Sequence, residues 1–353
     1  MSLPIFNHIT ISGAVSVVPI DTKPKAGGYA LFIMGPTGAG KSKFIESLSG
    51  GQLHGISKDQ LDGFTQEISV YEITNLTVDG LDLVYIIDTP GFLDRKISEL
   101  DIISKVNKWM TNDLMVLFTR VIYCIPISDI RLCGSKSRTF DSFKSIAGIE
   151  AANEITIMTT MWDTLWTKSG KERAGRNFQR LRSHVFADLV AQGATLERSL
   201  NTQESALQII DGLCGRWSRQ LLAFRNVSHP FAESPFIPGL IAELQGRIAQ
   251  LQAHKTVLEE DLTRLGNTPT KLSDPMLHVV LKERLKEVED DLLRFESQLL
   301  QFGRPRSPLP TGFSTSLPVE STNDVGRVLD TTGADRRDHI KKFAKKMLKG
   351  IGL

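Results

Sequence analysis

Cysteine is scarce in this sequence. The three present, Cys124, Cys133 and Cys214, form neither a disulfide framework nor a metal-ligand spacing. They suit a reducing compartment and read as packing residues. An excess of one charge is also missing: the formal net charge is +2, which argues against nucleic-acid binding by bulk charge. Long apolar runs are absent too. The longest, residues 114–127, is broken by Arg120 and is too short to span a bilayer. The N-terminus lacks the basic stretch and apolar core of a secretory signal, and the C-terminus lacks a prenylation box. Together these absences predict a cytoplasmic chain with no nucleic-acid partner. At 353 residues the length allows one sizeable α/β domain and an appendage.

What is present centres on one loop, Gly35-Pro36-Thr37-Gly38-Ala39-Gly40-Lys41-Ser42, which fits G-x-x-x-x-G-K-[ST] at every fixed position. The apolar run 29–34 before it reads as a buried strand, and residues 43–48 after it have helical spacing. Strand, glycine-rich loop and helix form a phosphate cradle. The glycines let backbone N–H groups of Gly35 to Gly40 point inward at phosphate oxygens. The new helix adds its positive end. Lys41 is expected on the β- and γ-phosphates, with the Ser42 hydroxyl on Mg²⁺.

Downstream, 69–78 and 81–88 read as two antiparallel strands joined by Asp79-Gly80, a tight-hairpin signal. The second ends in Asp88-Thr89-Pro90-Gly91. An acidic residue at the carboxyl end of an apolar strand is placed to hold Mg²⁺, and Gly91 can offer its N–H to a γ-phosphate. Thr65 is the candidate threonine that closes the Mg²⁺ shell from a mobile segment. Residues 120–127 and 154–159 read as further strands, 135–147 and 173–192 as helices, 195–200 as a short strand and 203–224 as a helix. Residues 9–20 are β-prone and form either an extra strand or a loose arm.

Phosphate loop, hairpin and Asp-Thr-Pro-Gly together resemble a G domain of the translation-factor-related GTPase class. Within it the chain resembles the septin and immunity-associated (paraseptin) branch, and most of all the fungal-type G-domain proteins. Their pattern stands here as Ile127-Ser128-Asp129-Ile130-Arg131 and Thr159-Thr160-Met161-Trp162-Asp163. The resemblance covers residues 29 to about 215. It implies a three-layer α/β/α P-loop fold with a mostly parallel sheet, GTP or GDP as ligand, and Mg²⁺. Asp163 would accept from the guanine ring N–H and amine, which adenine cannot offer. Met161 replaces the usual lysine, so Met161 or Trp162 would pack on the base. Asn201, after the last strand, would reach the guanine edge. Many GTPases place a water-orienting glutamine where this chain has Phe92. Slow Mg²⁺-dependent GTP hydrolysis is therefore expected, faster when a partner or a second copy supplies a group. Arg131 is either that group or a structural ion-pair residue. An ATP-using P-loop enzyme and a nucleotide-binding structural protein without turnover are the rival readings.

The expected divisions are an N-terminal arm at 1–26, a G domain at 27–229, a helical hairpin or coiled coil at 238–302, a disordered linker at 303–334 and a basic amphipathic helix at 335–353. Ile241, Leu244, Ile248, Leu251, Lys255, Leu258, Leu262 and Leu265 make one heptad seam, and Leu281, Leu285, Val288, Leu292, Phe295, Leu299 and Phe302 a second. The seams suit either a hairpin buried within the chain or a coiled coil between copies, so a homodimer through the G domain or the coiled coil is one expected partner. The last nineteen residues carry seven basic side chains against two aspartates, with apolar residues on one face. That pattern suits an acidic membrane surface, or a helix that is only solvated or docked.

Overall fold

The computed structural model describes residues 5–21, 24, 25, 27–53, 67–94, 96–113, 118–128, 140, 141, 143, 144, 146–215, 234, 236–266 and 275–303. Thr65, Arg131, Cys133 and residues 304–353, and with them the expected linker and basic helix, lie outside that set.

Seven strands form one sheet: β1 (Ile9–Pro19), β2 (Tyr29–Met34), β3 (Ser69–Val78), β4 (Val84–Asp88), β5 (Phe118–Pro126), β6 (Ile155–Thr160) and β7 (Thr195–Arg198). Their order is β1-β3-β4-β2-β5-β6-β7. The pairs β1–β3 and β3–β4 are antiparallel, and the remaining pairs are parallel. β2 lies at the centre, and all six of its residues are buried, as a parallel strand covered on both faces requires. Alternation splits them. Ala30, Phe32 and Met34 join one core cluster, and Tyr29, Leu31 and Ile33 the other. The second layer is closed by α1 (Lys41–Leu48) and α5 (Gln203–Cys214). The first is closed by α2 (Glu99–Asp113), α3 (Lys168–Arg180) and α4 (Ala187–Ala191). The fold is therefore the expected three-layer α/β/α sandwich with a mostly parallel sheet.

The expected β3–β4 hairpin is present. Asp79 and Gly80 both have positive φ (48° and 81°), the geometry of a turn that matches strand twist. Of the two readings for residues 9–20, the strand is the one observed. β1 is held at the sheet edge by Asp211 of α5, whose carboxylate accepts from the amides of Asn7, His8 and Ile9 at 3.1, 2.7 and 2.9 Å. The single helix expected at 173–192 is divided. A widened turn at Leu181–Val185, in which the Phe186 amide donates to the Leu181 carbonyl, separates α3 from α4 and lets Leu181, Phe186 and Leu189 all enter the core.

The heptad seams form two long helices, α6 (Ile237–Gly266) and α7 (Pro275–Gly303). They pack on each other within the chain, and the α6 end carrying Ile237, Leu240, Leu244 and Ile248 is buried with Leu100, Ile103 and Val106 of α2. The polar seam residue Lys255 meets Glu289 across the hairpin at 2.7 Å. The intramolecular reading of the seams is thus realised. Arg120, which interrupts the apolar run of β5, is buried and ion-paired with Glu154, its guanidinium close to the rings of Tyr29 and Phe118.

Candidate functional site

The loop from Gly35 to Ser42 joins β2 to α1 at the carboxyl edge of the parallel strands, where open α/β sheets bind ligands. Gly35, Gly38 and Gly40 have φ of 136°, 77° and 86°, a run of left-handed backbone that only glycine adopts without strain. A Cβ at Gly35 would also lie 2.4 Å from the Cys124 carbonyl oxygen. Thr160, the last residue of β6, donates its hydroxyl to the Ala39 carbonyl at 2.8 Å and so pins the loop from a strand one beyond β5.

Lys41 is buried. Its Nζ donates to the Gly35 and Pro36 carbonyls at 3.1 Å each, which sets the ammonium inside the curl of the loop. Burial lowers its pKa from the ordinary lysine value, while the charges of Asp88, Cys124 and Asp94 oppose that shift. Ser42 Oγ donates to Asp88 Oδ2 at 3.4 Å, and Asp88 ends β4 beside β2 with 2% exposure. A hydroxyl and a carboxylate facing each other beside a phosphate loop are hard oxygen donors. They fit Mg²⁺, which takes one or two protein oxygens and completes its shell with water and phosphate.

The segment after Asp88 is drawn against the loop. Phe92 N donates to the Gly35 carbonyl at 3.1 Å and Thr37 N donates to the Phe92 carbonyl at 2.9 Å. Gly91 allows this approach, because a Cβ there would lie 2.3 Å from Thr37 Oγ1. The Phe92 ring is buried against Tyr123 in the core.

At the far side of α1, Asn201 Nδ2 donates to Asp163 Oδ2 at 3.0 Å, and Ser47 Oγ donates to Asn201 Oδ1 at 2.8 Å. The structure thus brings Asp163 and Asn201 together, with φ of 62° at both Met161 and Asn201. Asp163 remains exposed. Trp162 is committed elsewhere. Its Nε1 donates to Thr159 Oγ1 at 2.9 Å, and the Arg198 guanidinium lies 4.5 Å from the centres of both its ring and that of Phe178. Ser47 and Asp94, and the role of Thr160 in holding the loop, escaped the sequence reading. A hydroxyl on a helix, an aspartate in a loop and a threonine at a strand end carry no signal until the fold places them.

Residues 30–152 match a protein-family model described as a 50S ribosome-binding GTPase. No curated protein matches the chain. Among solved structures, it is similar to the chloroplast translocon components atToc33 and psToc159, whose dimerization is important for GTPase activity (14% identity, 55% of this chain and 85% of that one, TM-score 0.42). It is also similar to Toc33 from Arabidopsis thaliana with Mg²⁺ and GMPPNP (14%, 60% and 81%, 0.38) and to LeoA, a bacterial dynamin GTPase from ETEC (12%, 68% and 45%, 0.33). These findings correct the resemblance drawn from the motifs. The likeness found is to a ribosome-binding GTPase model over residues 30–152, with translocon GTPases and a bacterial dynamin among the similar structures, and the septin assignment is dropped. A phosphate loop closing on an aspartate-bearing strand, in a sheet of this order and within the matched segment, makes the nucleotide domain of this chain a P-loop domain that binds and hydrolyses GTP.

Proposed function

We propose that Gly35 to Ser42 hold the phosphates of GTP, that Ser42 and Asp88 hold its Mg²⁺ together with Thr65, and that Asp163 and Asn201 recognise guanine. The observation that carries this reading is the single helix α1. Its N-terminal end carries Lys41 and Ser42, and near its other end Ser47 bonds the Asp163–Asn201 pair, so phosphate and base contacts lie along one short rigid element. When bound, Mg²⁺ would neutralise phosphate charge. The chain's own part is to orient: Lys41 sets a cation in the loop, Gly91 presents an amide, and Asp163 rejects a base without paired donors.

Hydrolysis by the isolated chain is slow in this reading. Phe92 occupies the position expected to orient water, and its ring belongs to the core. A second copy docking through the G domain would supply the missing group, since the α6–α7 seam is already filled within the chain. The domain then acts as a switch or assembly module. Among the described residues no helix is long and apolar enough to cross a membrane. Peripheral contact with an acidic membrane is proposed on the sequence of residues 335–353 alone.

The test is competition against fluorescent GDP. GTP should displace it and ATP should not, and Asp163→Asn should abolish that preference. Equal displacement by ATP in the parent would overturn guanine recognition. Phosphate release per chain should rise with protein concentration, and a rate independent of dilution would remove the second copy from the mechanism.

A further inference from the structure

Three side chains of the helical hairpin close on the segment that follows Gly91. Arg247 of α6 donates through Nη1 to the Asp94 and Ile97 carbonyls at 2.6 and 3.1 Å, and through Nη2 to Glu99 Oε1 at 2.7 Å. Glu99 Oε1 also accepts from Leu93 N at 2.9 Å. On α7, Arg294 Nη1 donates to the Lys96 carbonyl at 2.9 Å, and Gln298 Oε1 accepts from Ser98 Oγ at 2.7 Å. Phe295 is buried beside the Arg247 guanidinium, 5.9 Å from ring centre to Cζ. Helices outside the nucleotide domain thus grip this segment at most of its described positions.

The other side of the same segment touches the phosphate loop. Asp94, 4% exposed, accepts from Thr37 Oγ1 at 3.2 Å through Oδ2 and from Lys96 N at 2.8 Å through Oδ1. Its charge acts on Lys41. Asp94 therefore joins two structures: its carboxylate belongs to the phosphate loop, and its carbonyl to the hairpin. A third phosphate brought to Thr37 and Lys41 would set negative charge beside this buried carboxylate. Like charges a few ångströms apart in a poorly solvated site repel, so one must move.

We propose that Asp94 senses the γ-phosphate and that Arg247 is a positioning residue that couples its displacement to the helical hairpin. The proposal deepens the phosphate-site reading above and rests on it. In the arrangement seen, the grip of α6 and α7 holds Asp94 in and favours the diphosphate. Linkage makes the effect reciprocal: loosening the grip favours the triphosphate, and the triphosphate loosens the grip by the same factor.

The experiment measures affinities of the full chain for GDP and for a non-hydrolysable GTP analogue. Arg247→Ala should raise the analogue-to-GDP affinity ratio roughly fivefold or more, with GDP affinity unchanged. Arg294→Ala, at an exposed side chain whose loss does not threaten folding, should shift it the same way by less. Asp94→Asn should raise the ratio too, and combining it with Arg247→Ala should give less than the product of the two effects. In the parent, the analogue should speed amide hydrogen exchange in α6 and α7 relative to GDP. An unchanged ratio in both arginine variants, or an equal loss of affinity for both nucleotides, overturns the coupling while leaving the phosphate site standing. A parent that binds neither nucleotide brings down both.

Discussion

Lys41 and Arg120 are both buried cations, and they differ in what offsets the burial. Among the described residues the bonds of Lys41 Nζ go to the loop carbonyls of Gly35 and Pro36. Lys41→Ala should lose roughly 1.5–3 kcal/mol of charge-assisted bonding and about tenfold or more of nucleotide affinity. The check is nucleotide retained through desalting, and full retention would contradict the site. Arg120 is paired with Glu154 inside the sheet. Removing one partner leaves the other charge buried, so Arg120→Ala should cost about 3–5 kcal/mol, read from a urea midpoint. Cys124 is buried at the loop, and burial pushes its thiol up to about 12, with Lys41 pulling down and Asp88 pushing up. The sign is simple: at about pH 8 an ordinary thiol is partly ionised and this one is not. Iodoacetamide should therefore spare Cys124 in the folded chain and label it after denaturation, as peptide mass mapping would show.

Elements are held in register here by side chains from distant elements. β1 is an edge strand, and the amides of its first residue and of the two residues before it converge on one carboxylate of α5. Asp211→Ala leaves these donors unpaired. The expected cost is about 2–3 kcal/mol, with faster hydrogen exchange in β1 than in β5. Sequence pattern found the β3–β4 hairpin because Asp-Gly carries its own backbone preference. It did not find the break between α3 and α4, because that break serves the burial of Phe186, which depends on what lies across the core.

Taken whole, the molecule is a nucleotide domain with a helical hairpin set against the segment that follows its phosphate-side aspartate. Phe295, 2% exposed, is the apolar centre of that contact. Phe295→Ala should cost about 3–5 kcal/mol in overall stability and release α7 first, seen as early protease cutting in residues 275–303 before loss of the sheet.

The phosphate loop was legible because its function is local: glycine conformations, one lysine and one hydroxyl act at fixed spacing on a strand-to-helix turn. Asp88 was legible as the end of a recognisable strand, whereas Asp163 was drawn from the motif resemblance and lies in a short turn three residues beyond β6. The seams of α6 and α7 announced two helices through their apolar period. Whether those helices would pair within the chain or between copies was left open, since a heptad specifies a face and not its partner. Tertiary structure made that choice by packing the α6 end against α2. It also placed Asp94 between Thr37 and Arg247, a meeting of residues far apart in the chain. Such contacts arise from the three-dimensional path of the backbone, and no spacing along the sequence encodes them.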